Sequence, residues 1–397
     1  MKTPKPDERA TRLIEVRNLK MARSSHAYVR GSTAKFYEWL ATSEANVPHG
    51  PPVWICGDCH MGNIGPIADA RGRVALQVRD LDQTVIGNPA HDLVRLVLSL
   101  ASAARGSDLA GIVTVRIVES VMSGYEAALR GCYAEGRPDP IESRTVRSLV
   151  RMSLGRRWRH LAAERLESVR PTLPLGRRFW RITAEERAAI VAMFEERTLH
   201  DLIGALQQNE HADVEVVDAA YWMKGCSSLG RLRYAVMLQV GHGRAASMCL
   251  VDIKEGVAAA APRAPDADVP RDNAIRVVTA AKAMSPYLGE RMMACRLLGK
   301  GVVLRELMPQ DLKLAIDTVN EREMLLLAEH LANVVGRAHG RQMDDENRAA
   351  WSAELQRARS STIDAPTWLW KGVVERVGIH EAAYLEHCRR YALQEAA

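Results

Sequence analysis

The sequence predicts an α+β chain, mostly helical, with one small antiparallel β unit set into it. Three observations predict this. Ala, Arg and Leu dominate a chain with only 5% aromatic residues, which suits helices. The runs VEVVDAAYWMK (214–224), LRYAVMLQV (232–240) and SMCLVDIK (247–254), joined by GCSSLGR and GHGRAA, read as a β-meander. Helical periodicity fills most of the remainder.

In chain order, residues 8–43 alternate apolar and charged residues at helical spacing, with a break near Gly31. PPVWICGD (51–58) is a short strand running into a loop, and GRVALQVRDLDQT (72–84) is a second strand that ends in Asp80 and Asp82. DLVRLVLSLASAA (92–104) has the pattern of a buried helix, and another helix follows at about 110–130. Residues 141–181 carry eleven Arg against three Glu, either a solvated helical face or an electrostatic guide for an acidic substrate. A helical stretch at 184–207 precedes the meander. After it come a linker rich in Ala, Pro and Asp (257–272), a helix NAIRVVTAAKAM (273–284), a strand GVVLREL (301–307) and a helix at 323–342. Two further helices reach the C-terminus.

The 397 residues are 47% apolar, enough for a sizeable core, and the net charge of +6 favours anionic partners without demanding nucleic acid. No recognised nucleic-acid motif accompanies the Arg-rich segment, so such a partner is not expected. The N-terminus has no apolar run of signal-peptide length, and no stretch is apolar enough to span a bilayer. A cytoplasmic protein without a membrane partner is the expectation. Seven scattered Cys form no disulfide framework. Cys56, Cys59 and His60 spell C-x-x-C-H, a c-type haem signal, but haem attachment needs an exported chain and zinc needs a second ligand pair; neither is present.

A different chemistry fits the same stretch. Phosphoryl transfer from ATP needs a Gly-rich loop over the phosphates, a lysine on a neighbouring strand, a carboxylate near the acceptor hydroxyl, and Asn plus Asp for Mg²⁺. The chain offers Gly225 to Gly230 between strands, Lys254 on the third strand, Asp58, Asn63, and Asp80 at a strand end.

GDCHMGNIG (57–65) followed by VRDLDQTVIGNPAHDLVRL (78–96) resembles the GDxHxxN and DFD, GxPxxDL pattern of aminoglycoside phosphotransferases and choline kinases. More closely, the chain resembles a bacterial kinase-like family known as domain of unknown function 2252. KMARSSHAYVRG, GCSSLGRLRYAVML, LVDIKEG, VVLREL and GRAHGRQ extend the likeness over about residues 18–345. The resemblance implies a two-lobed, protein-kinase-like fold whose order is circularly permuted, since the catalytic loop precedes the Gly-rich loop and lysine. Residues 1–207 would begin the helical lobe, 208–308 would form the nucleotide-binding β lobe, and 309–397 would return to the helical lobe.

The resemblance also implies roles. Asp58 would be the catalytic base, with His60 either bracing its loop or serving as an ordinary structural histidine. Asn63 and Asp80 would hold Mg²⁺; Asp82 would complete that site or cap a turn. Gly225, Ser227, Ser228, Gly230 and Lys254 would cradle the phosphates of ATP, and Glu306 to Met308 would form the hinge beside the nucleotide. Asp92 would pin the catalytic loop from below or act as a helix N-cap. Arg30 would reach a phosphate, brace the loop, or be an exposed structural arginine. Two departures stand out: Ser227 replaces a Gly in the loop, and the helix 273–284 has no acid to pair with Lys254, with only Glu255 and Asp272 nearby in sequence. The expected activity is transfer of the γ-phosphoryl group to an unidentified small-molecule or protein acceptor. A pseudokinase or nucleotide-binding module, and a nucleotidyl transferase, are the alternatives.

Overall fold

Near the N-terminus the apolar and charged alternation folds as three consecutive helices, α1 (Arg9–Ala22), α2 (Ser25–Gly31) and α3 (Thr33–Thr42). The computed structural model describes residues 4–42, 47–131, 172–207, 213–225, 230–243, 246–309, 320–357 and 362–391, with a few single positions between these stretches. Ser24 starts α2 by accepting a hydrogen bond from the Ala27 amide.

Four short strands follow: β1 (Val53–Ile55), β2 (Ile64–Ala68), β3 (Val74–Val78) and β4 (Val85–Gly87). β2 and β3 form a hairpin, while β1 pairs with β4 outside it. This nesting fixes what lies between the strands. The loop from β1 to β2 (56–63) and the turn from β3 to β4 (79–84) must run side by side, joined by the Arg79 amide bonding to the Asn63 carbonyl at 2.7 Å.

Behind these loops stand α4 (Pro89–Gly106) and α5 (Val113–Arg130). A helix apolar on all sides belongs in an interior. In α4, Leu93, Val94, Leu96, Val97, Leu98 and Leu100 are all fully buried, each contributing roughly 1.5–3 kcal/mol by leaving water.

A six-stranded antiparallel sheet is built from β5 (Phe179–Trp180), β6 (Val214–Trp222), β7 (Arg233–Val240), β8 (Ser247–Glu255), β9 (Met292–Leu297) and β10 (Lys300–Glu306). Its spatial order is β5-β6-β7-β8-β10-β9. Helices α6 (Ala184–Phe194) and α7 (Arg197–Leu206) precede β6. Side chains alternate between the two faces of a strand. On β8, Cys249, Val251 and Ile253 join the cluster containing Ile190 and Phe194 of α6, which leaves Leu250, Asp252 and Lys254 on the other face. Leu13 of α1 and Trp180 of β5, both earlier in the chain than residue 208, belong to the same cluster.

Between β8 and β9 lie α8 (Asn273–Met284) and the single turn α9 (Pro286–Gly289). The chain closes with α10 (Glu321–Gly340), α11 (Asp345–Arg357) and α12 (Thr367–Tyr391). A Cβ on Gly124 of α5 would lie 1.9 Å from the Glu329 carbonyl oxygen of α10, so glycine lets these helices meet at backbone distance.

The molecule is therefore a mixed α+β protein, as its sequence suggests, with two corrections. The β unit has six strands where three in a meander and one later strand were expected. Strands β2, β4, β5 and β9 come from runs too short or too weakly alternating to register. The segment 257–272 is not a free linker: the Ala264 amide bonds to the Ile86 carbonyl at 2.8 Å and the Ala260 amide to Gln83 Oε1 at 2.6 Å. Among the described residues no helix is long and apolar enough to cross a membrane. Most of the Arg-rich segment 141–181 lies outside the described residues.

Candidate functional site

The nested strands place the 56–63 loop against the 79–84 turn at closest range where Gly57 sits. Its φ is +71°, and a Cβ there would stand 2.0 Å from the Gln83 carbonyl oxygen, so only glycine fits. Asp92 holds this loop from α4. Its Oδ2 accepts from the Cys56 amide at 2.7 Å and its Oδ1 from the Gly57 amide at 3.0 Å. His339 of α10 adds a contact to Oδ2 at 3.2 Å. Asn88, not Asp92, caps the helix, its side chain accepting from the Ala90 amide. Tyr37 of α3 donates its hydroxyl to the Gly57 carbonyl at 2.7 Å.

Asp58 follows directly, buried. Arg95 of α4 donates to its Oδ1 from Nε at 3.0 Å and from Nη2 at 2.8 Å, while also donating to the Val29 carbonyl at 2.5 Å. Burial pushes the Asp58 carboxyl above the ordinary range even though Arg95 pulls it down. The Oδ2 oxygen lies 3.8 Å from His60 Nε2. Burial, reinforced by the charge of Arg30, holds His60 well below its usual range, so it is neutral and this is no ion pair. Its Nδ1 accepts from the Gly62 amide at 3.1 Å, capping the one-turn 3₁₀ helix Met61–Asn63. Arg30 itself makes no hydrogen bond to Asp58; its Nε is buried with no hydrogen-bond partner among the described residues. Asn63 donates Nδ2 to the Asp58 carbonyl at 3.1 Å, which leaves its amide oxygen as a hard donor beside the 79–84 turn.

Opposite this loop stands the sheet. Lys254 Nζ lies 3.4 Å from Asp80 Oδ1 and closer still to Asp82 Oδ2. Lys254 is 174 and 172 positions from the two acids in the chain, and among the described residues the Asp82 side chain caps no turn. Burial acts to raise the Asp80 carboxyl, but the charges of Lys254 and Arg233 outweigh it and hold it low. Burial and the Asp80 charge push Asp82 upward. Among the described residues no three His, Cys, Asp or Glu side chains form a ready metal cluster. Asp80 and Asn63 offer two hard oxygens, which suits an ion that takes the rest of its shell from phosphate and water.

Further charges, which the motifs do not announce, line the same sheet face. Asp252 accepts from Arg233 Nε at 2.9 Å and from Nη2 at 2.5 Å, and lies 3.5 Å from Lys224 Nζ. Lys224 sits 3.8 Å from the centre of the Trp222 ring, a cation–π contact. Arg305 donates to the Arg79 carbonyl at 3.1 Å and shares Asp311 with Arg291. The signals were register-based: Asp252 is two residues from Lys254 on β8, Arg233 is directly across from Lys254 on β7, and Arg95 lies one helical turn beyond Asp92.

The other expected positions fall as follows. Gly225 and Gly230 have φ of +95° and +100° at the two ends of the Gly-rich loop; Ser227 and Ser228 lie outside the described residues. Lys20 of α1 donates to the Gly225 carbonyl at 3.1 Å. The Glu306 carboxylate is on the sheet face away from Lys254, accepting from Gln207 at 2.5 Å. Met308, two residues on, has its carbonyl taken by the Asp311 amide at 3.1 Å. Neither acid near Lys254 in sequence reaches it. Asp272 caps α8 through the Ala274 and Ile275 amides, and Glu255 accepts from the Leu232 amide and Lys300.

A family model described as an uncharacterized protein conserved in bacteria (DUF2252) matches residues 9–390. The chain belongs to that family. Comparison with curated proteins and with solved structures finds no match.

Proposed function

We propose that this member of the bacterial family is a kinase-like phosphotransferase of circularly permuted order, which binds Mg²⁺ and ATP and moves the γ-phosphoryl group to a hydroxyl acceptor. One observation carries the reading: Lys254 of the sheet meets Asp80 and Asp82 of the 79–84 turn, while that turn runs against the loop bearing Asp58 and Asn63. These are the residue types that phosphoryl transfer requires, gathered at one cleft between helical floor and sheet. The lysine is on the third long strand, as in protein kinases, and Asp92 anchors the loop through two amides.

Bound Mg²⁺ and ATP would supply the transferable group and neutralise its charge. Asp80 and the Asn63 amide oxygen are the residues that would hold the ion, and Lys254 is the cation that would meet the phosphates. Asp58 has its Oδ1 committed to Arg95, with Thr33 also bonding the carboxylate, and Oδ2 is the oxygen that would accept the proton of an acceptor hydroxyl. Its raised affinity for protons makes it a better base than an exposed aspartate. His60, neutral and tied to Gly62, shapes the loop without itself exchanging a proton.

A second reading, a nucleotide-binding module without turnover, draws support from three closed ion pairs. Asp58 is locked to Arg95, and Lys254 is engaged with both turn acids. Incubating the chain with Mg²⁺ and either γ- or α-labelled ATP against a metabolite pool separates the possibilities. Label transferred from the γ position, and lost in Asp58→Ala and Asp80→Ala, is the expected result. Transfer from the α position points to nucleotidyl chemistry, and no transfer above the variants sinks both enzymatic readings.

A further inference from the structure

Lys254 needs an anion to hold its ammonium in place, because a four-carbon stem carries several freely turning bonds and the charge is otherwise unplaced. In protein kinases a glutamate on the helix beside the sheet does this. Here that helix, α8, has no acidic residue at all between Asn273 and Met284. Asp272 and Glu255, the nearest acids in sequence, are bound to other partners.

What α8 does present inward is a cation. Arg276 is 3% exposed and its guanidinium donates to three main-chain carbonyls: Thr84, Asp82 at 3.0 Å and Val257 at 2.6 Å. A planar fork can satisfy several acceptors at once, which a lysine cannot. All three carbonyls flank the place where Asp82 turns its carboxylate onto Lys254. Asp80 and Asp82 also differ in access. The Asp80 side chain is 44% exposed and that of Asp82 18%, against 13% for Lys254. The more open acid faces incoming ligand; the more enclosed one faces the lysine.

We propose that Asp82 is the positioning residue for Lys254, that Arg276 fixes the turn carrying it, and that Asp80 with Asn63 is left as the metal-binding pair. The second half of this division rests on the phosphotransferase reading above. The acid has in effect moved from the helix to the turn, and an arginine on the helix holds the turn in its place. The position of α8 is thereby linked to Lys254 through the backbone of residues 82–84 rather than through a direct ion pair.

Two measurements on the full chain test it. The first needs no nucleotide: acetylation of Lys254 by an N-hydroxysuccinimide ester, followed by peptide mass spectrometry. Asp82→Asn, nearly isosteric, is expected to raise the labelling rate roughly tenfold, and Asp80→Asn less than about threefold. Arg276→Lys is expected to fall between, since it keeps the charge but loses the fork. Equal effects of the two aspartate variants, or none from Asp82→Asn, overturn the proposal. The second is the Mg²⁺ dependence of fluorescent ATP-analogue binding. Asp80→Asn is expected to raise the Mg²⁺ midpoint roughly tenfold or more, with Asp82→Asn within about twofold of the unaltered chain. A midpoint that moves as far in Asp82→Asn makes Asp82 a metal ligand and overturns the division. A chain that binds no nucleotide at any Mg²⁺ concentration sinks the phosphotransferase reading and the metal half with it, while the labelling ratio still decides the Lys254–Asp82 half.

Discussion

Asp58 and Asp80 stand on neighbouring loops, yet they are held in opposite ways. Asp58 is gripped by an arginine with no exposed side-chain surface, which is itself bonded to the main chain of α2. Asp80 touches a lysine from a different layer of the molecule, and nearly half its side chain is open to water. The first acid belongs to a floor assembled with the core. The second meets a roof across a contact that a ligand can exchange. Removing a partner from the floor should therefore cost folding, and removing one from the roof should cost binding.

The largest test of that contrast is Arg95→Met. It strands a buried carboxylate and should lower unfolding free energy by about 3–5 kcal/mol, read by urea denaturation. A loss below about 1 kcal/mol would show that the floor is no more rigid than the roof. Next comes Asp92→Ala, which deprives the Cys56 and Gly57 amides of their acceptor; about 2–4 kcal/mol is expected, with faster hydrogen exchange at those two amides.

A pH series sharpens the picture of the floor. Burial lowers His380 of α12 from 6.5 to about 4. Below pH 6.5 the unfolded chain takes up a proton that the folded one refuses, so this residue costs stability as pH falls and nothing above pH 7. His380→Gln should narrow the stability loss between pH 6.5 and 4 by up to roughly 2–3 kcal/mol in urea titrations. An unchanged slope would mean that the imidazole is not sealed. The smallest structural effect is expected from Lys254→Met, within about 1 kcal/mol of the unaltered chain because its partners are partly solvated. The same variant should abolish binding of a fluorescent ATP analogue. A large loss of stability there would erase the distinction between floor and roof.

The parts of this arrangement are legible in the sequence to different depths. Asp92, Asn63, Asp80 and Lys254 sit in short motifs that can be read from the sequence, and the fold sets Asp80 against Lys254 and Asp92 beneath the loop that carries Asn63. Arg95 and Arg276 were invisible because an arginine on an apolar helix reads as a surface residue until its neighbours are known. The Asp252–Arg233 pair depends on strand register, which alternation alone does not fix. Strand β9 was missed because MMACRL lacks the β-branched alternation of its neighbours, and its turn into β10 is marked only by Leu298 and Gly299, both at positive φ.

The segment that leaves the Lys254 strand does not travel straight to α8. It descends to the helical floor, where Ala264 bonds to Ile86 and Ala260 to Gln83, before climbing back. Sheet and floor are thus sewn together along one margin, beside the close approach of Gly57 to Gln83. A hinge between sheet and floor would run through this seam like the spine of a book, at the strand end that carries Lys254.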